Sequence, residues 1–79
     1  MSKAAARRAG REARPATICA IGPGGWAVAE RSVDYATAML VEQAADELRS
    51  GVRSETGWTP RIVVLDDRGR DVTPDYQVN

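Results

Sequence analysis

Gly22-Pro23-Gly24-Gly25 constrains this chain more than any other stretch. It stands between Thr17-Ile18-Cys19-Ala20-Ile21, which has strand composition, and Trp26-Ala27-Val28-Ala29-Glu30, where large and small side chains alternate. Together with Trp26 and Ala27 it matches the G-x-G-x-x-G/A pattern of a dinucleotide-binding turn. Taken alone it is a hairpin loop, with permissive φ from glycine and a preset φ from proline. A fingerprint helix has to begin within the glycines, yet Pro23 and the alternation after it spell turn and strand. The ribose-binding acid belongs about 20 residues past the motif, whereas the candidate, Asp66, stands much further along. The strands that complete a dinucleotide crevice are also missing. The expectation is a hairpin and no cofactor.

After Ser32 the period changes. Val33, Ala36, Leu40, Ala44 and Leu48 recur at helical spacing, flanked by Thr37, Val41 and Ala45. Ser32 suits an N-cap, Asp34 the first turn, and Gly51 the residue beyond the last turn, with a ragged extension into Val52 and Arg53 allowed. "SETGWTP" reads as a loop. Arg61-Ile62-Val63-Val64-Leu65-Asp66 is the strongest strand, "DDRGR" a turn, and Asp71-Val72-Thr73 a short returning strand that Pro74 stops. The chain therefore predicts an α+β fold: a small ββαβ(β) domain with one amphipathic helix on a three- to four-stranded, mainly antiparallel sheet. A right-handed crossover places the third strand beside the first and parallel to the second, giving the order 2-1-3.

"GPGGWAVAE", the helix and "RIVVLDDRGR" together resemble a family of very short bacterial and phage domains of unknown function. Gly24, Gly25, Trp26, Ala27 and Val28 match its hairpin, and Arg68, Gly69 and Arg70 match its later turn more loosely. The resemblance implies a small ββαβ fold and no assigned catalysis.

The composition removes whole classes of chemistry. With 79 residues and no histidine, the chain lacks the commonest metal ligand and the commonest acid–base catalyst. Cys19 is the single cysteine, so it can form neither an internal disulfide nor a Cys–His pair. It suits a small buried hydrophobe in a reducing, cytoplasmic setting. Asp66, Asp67, Asp71 and Asp75 form an acidic cluster, but Arg68 and Arg70 interrupt it and the calcium-loop pattern is missing. Tyr35 and Tyr76 have proton-donating hydroxyls and no sequence signal that puts them in a cleft. No apolar run reaches the roughly 18 residues of a membrane span. The expectation is a protein without catalytic or metal-binding residues and with no membrane partner. The arginine and alanine bias suggests a GC-rich bacterium or a phage.

What remains points to interaction. Residues 1–15 form a basic arm with no aromatic or branched aliphatic side chain, expected to be disordered, and residues 16–79 form the domain. Five basic residues in the arm (Lys3, Arg7, Arg8, Arg11, Arg14) against Glu12 leave a formal +4, so the neutral chain leaves −4 for the body. Such an arm supports an alternative reading as a nucleic-acid-binding accessory protein. The main reading is a non-enzymatic protein-interaction or regulatory module that uses an exposed sheet face or edge. Trp26 is expected in the core, and Trp58, Ile62 and Val64 at the partner surface. One helix covers one sheet face only, so a homodimer or a protein partner is expected on the other.

Overall fold

The computed structural model describes residues 14–79. The elements are β1 (Ala16–Ile21), β2 (Ala27–Val33), α1 (Ala38–Thr56), β3 (Arg61–Asp66) and a short 3-10 turn, Thr73–Asp75. The sheet has the order β2-β1-β3, with β1 antiparallel to both neighbours. Among the described residues this is an α+β fold with α1 packed on one sheet face, and the crossover order is the one the sequence predicts.

The glycine cluster makes a hairpin turn. The Gly25 N–H donates to the Gly22 carbonyl (3.0 Å), and the Gly22 N–H donates to the Trp26 carbonyl (3.0 Å). Gly25 holds φ +90°, a left-handed value that few other residues adopt without strain. This is a three-residue loop closed by a left-handed glycine, a common hairpin connection. The β1–β2 register then slips between Ala20 and Ile21, so that Val28 is the extra residue of a bulge.

The helix starts later and ends later than its sequence signals suggest. Ser32 and Val33 remain in β2, paired with Thr17 and Ala16, because the hairpin ladder extends to its full length. Thr37 is the N-cap, its hydroxyl accepting from the Leu40 N–H (3.3 Å). Gly51 lies inside the helix. The C-cap is Gly57, left-handed at φ 85°, whose N–H donates to the Arg53 carbonyl (2.8 Å).

Alternation along the strands fixes the core. Ala16, Ile18 and Ala20 of β1 and Ile62 and Val64 of β3 meet Val41, Ala44, Ala45, Leu48 and Val52 of α1. Ile18, Ile62, Val41 and Val64 are completely buried, and each such side chain contributes about 1.5–3 kcal/mol by leaving water. Leu40, expected in this stripe, is 43% exposed, because the helix is rotated to bring Val41 inward. Thr17, Cys19, Ile21, Val63 and Leu65 lie on the opposite sheet face, outside this core.

Residues 72–79 strap the domain. The Tyr76 hydroxyl donates to the Ala36 carbonyl (3.0 Å), the Gln77 N–H donates to Glu42 (3.1 Å), and the Arg49 guanidinium donates to the Val78 carbonyl. The Val78 side chain is buried in the core.

Candidate interaction edge

A sheet edge is a row of backbone donors and acceptors, and its function depends on whether they are occupied. At the outer edge of β3 they are occupied throughout. The Asn79 side-chain amide accepts from the Ile62 N–H (2.8 Å) and donates to the Ile62 carbonyl (2.8 Å), as a neighbouring strand residue would. The Val64 N–H donates to the Thr73 hydroxyl (2.9 Å), and the Val64 carbonyl accepts from the Val72 N–H (2.8 Å). The Asp66 N–H donates to the Arg70 carbonyl (2.9 Å), and its carbonyl accepts from the Gly69 N–H (3.0 Å). Among the described residues, strand pairing beyond this point amounts to one bridge, Leu65 with Asp71. The returning strand anticipated at Asp71–Thr73 is therefore a single bridge followed by the 3-10 turn that contains Pro74.

The opposite edge is open. Since Ile62, Val64 and Asp66 point outward, Thr17, Cys19 and Ile21 of β1 bond towards β3, and Ala16, Ile18 and Ala20 bond towards β2. Along β2 this turns Ala29, Arg31 and Val33 inward and leaves the backbone groups of Glu30 and Ser32 facing outward. Among the described residues nothing bonds them. Trp26, 66% exposed, and Val28, 45% exposed, stand at the turn end of this edge. The Trp26 ring lies against Gly24, where an added Cβ would come within 2.1 Å of it, so the bare glycine is what lets the ring fold over the turn.

These positions reverse several sequence expectations. Ile62 and Val64 are fully buried beneath α1 and have no surface to give a partner; the half-buried Val63 and Leu65 take the outer face instead. A continuous apolar run carries no phase, and pairing with β1 decides it. The tryptophans exchange roles. Trp58 is half-buried, packs on the core and approaches Gly22, while Trp26 is the exposed one. A bulge at Val28, which periodicity cannot show, is what breaks the expected alternation. Of the basic arm, Lys3, Arg7, Arg8 and Arg11 lie outside the described residues. Arg14 is exposed, and its carbonyl accepts from the Ala36 N–H (2.9 Å).

Cys19 is buried on the outer face beside Glu30. Burial first, then the Glu30 carboxylate, pushes its thiol pKa up, so it stays protonated and a poor nucleophile at neutral pH. The acidic cluster is spent on turns. Asp66 accepts from the Arg68 and Arg70 N–H groups and from the Arg70 guanidinium, and Asp71 accepts from the Thr73 N–H and hydroxyl. Among the described residues no three acidic or cysteine side chains gather where a metal ion could be held. No described helix is long and apolar enough to cross a membrane.

The chain matches no family model, no curated protein and no solved structure.

Proposed function

We propose that this domain is a non-enzymatic interaction module that docks a protein partner along β2. The observation that carries the reading is the contrast between the two edges: every outward group of β3 is bonded, while the outward backbone groups of Glu30 and Ser32 of β2 have no partner among the described residues, and the exposed Trp26 stands at the turn end of that edge. An extended segment added to such an edge gains main-chain hydrogen bonds, and Trp26 supplies a side chain of the type that dominates interface energetics. A homodimer formed by edge pairing would have to use this same strand.

Ser32→Pro tests the reading. It removes an outward N–H that no internal bond uses, and proline is tolerated at that kind of edge position. Wild-type and variant chains are used as bait in a native lysate, and their melting temperatures are compared. The expected result is loss of the captured partner with little change in melting. Equal capture by both chains would rule out docking at β2.

A further inference from the structure

A groove of about 210 Å³ runs between the open strand and the helix. Ala29, Leu48 and Val52 give it apolar walls, and Gly51 gives it a bare one. Gly51 lies well inside a 19-residue helix, where glycine costs about 1 kcal/mol relative to alanine. Among the described residues nothing explains that cost, since a Cβ placed there would meet no atom within 4 Å. Gly51 is exposed and lines the groove, so the open space above it is continuous with the groove. Arg31, Glu47 and Glu55 line its exposed rim. Arg31 is ion-paired with Glu47, while Glu55 has no ion-pair partner among the described residues. Counted over these described residues, the rim carries a net negative charge.

Resting on the reading of β2 as a docking edge, we propose that edge and groove together bind an extended basic segment of another polypeptide as a fourth strand. Gly51 and Glu55 are one helical turn apart, about 6 Å along the axis. Side chains two residues apart on one face of a strand are separated by a similar distance, roughly 6.6–6.8 Å. The segment accordingly has a short apolar residue over Gly51 and, two positions on, a lysine or arginine beside Glu55. The intervening side chains point to the outer sheet face, next to Glu30 and Ser32.

The probe is a labelled octapeptide, Thr-Val-Thr-Lys-Thr-Val-Thr-Lys, titrated against the full chain by fluorescence anisotropy. Three comparisons accompany it: the same peptide with glutamate for lysine, an alternately N-methylated form, and sedimentation of the protein alone. The lysine peptide is expected to bind at least tenfold more tightly than the glutamate peptide, and N-methylation to abolish binding. Glu55→Gln should weaken the lysine peptide several-fold and reduce its salt dependence. Gly51→Leu should abolish binding while the melting temperature holds or rises, which separates a filled groove from a damaged fold. Equal binding of both peptides, unchanged binding by Gly51→Leu, or no binding by any peptide overturns the proposal. So does a dimer in sedimentation that Gly51→Leu dissociates, because a second copy would then be the occupant. Each of these outcomes leaves docking at β2 to be judged separately by the Ser32→Pro capture.

Discussion

The domain contains the same turn twice, with opposite consequences. Gly22–Trp26 and Asp66–Arg70 share both closing hydrogen bonds and a left-handed glycine in the fourth position, Gly25 at φ 90° and Gly69 at φ 78°. After the first, seven residues without a breaker propagate into β2, and the ladder ends as an open edge. After the second, Asp71 draws the Thr73 N–H and hydroxyl onto its own carboxylate, and Pro74 follows with no N–H to give. Strand pairing stops after one bridge, and the chain goes on to close the edge with the Thr73 hydroxyl and the Asn79 amide. A turn starts a hairpin; the residues after it decide whether the next edge is exposed or sealed.

The sharpest way to break this contrast is to unseal β3. In the double variant Thr73→Val, Asn79→Ala, the Ile62 N–H and carbonyl and the Val64 N–H lose their partners. Stability should fall by about 2–4 kcal/mol, the range for several partly buried backbone groups left unpaired. Chemical denaturation gives the loss, and the newly bare edge should make the chain associate in a concentration-dependent way. A monomeric, fully stable double variant would show that the strap does not guard the edge.

Gly51→Ala probes the opposite side with a smaller effect of opposite sign. The added methyl has open space, so helix propensity alone should stabilise the domain by about 0.8–1 kcal/mol. In a domain of this size that raises the melting temperature by roughly 4–8 °C. No gain in melting would mean that Gly51 already has a structural role in the free chain.

The smallest expected effect is that of acid on the second turn. Hydrogen bonds from the Arg70 N–H, then from the Arg68 N–H and the Arg70 guanidinium, hold the Asp66 carboxyl below its usual range. The Thr73 hydroxyl and N–H do the same for Asp71. In both cases the folded pKa lies below the unfolded value of about 3.9. The stabilisation is therefore complete above about pH 3.9 and is lost as the pH falls through the folded pKa. Stability measured between pH 7 and pH 2 should decline less in Asp66→Asn than in the wild type. Parallel curves would show that the turn does not titrate. The glycine turn before β2 has no carboxylate in this role and should be indifferent to the same change.

The elements legible in advance were those encoded locally. The β-branched run, the glycines and the 3.6-residue stripe announced a hairpin, a helix and a third strand, and the right-handed crossover followed from their order. The apolar run of Ile62–Leu65 also suggests a central position, but β1 takes the centre and β3 is an edge whose outward groups are bonded by turns and side chains. The candidate edge was legible only as a class of surface. The sequence places Ile62, Val64 and Trp58 at a partner surface, whereas the structure buries Ile62 and Val64 and half-buries Trp58; Trp26, Ser32 and Gly51 carry other expected roles, as core, helix cap and helix end. Gly51 carried one usable signal: a glycine inside a helical stripe needs a reason, and ending the helix was not the only one available.

Local sequence by itself determined which segments turn, which extend and which coil, because those choices depend on φ preferences and on side chains a few residues apart. Tertiary structure alone decided the phase of β3, the late start of α1 and the sealing of one edge. Pairing with β1 selects which half of Ile62–Leu65 faces the helix, and the length of the β1–β2 ladder holds Ser32 and Val33 out of α1. The seal joins Asn79 to Ile62 across 17 residues. Its amide resembles a strand backbone only when the fold brings it alongside, and no local pattern records that meeting.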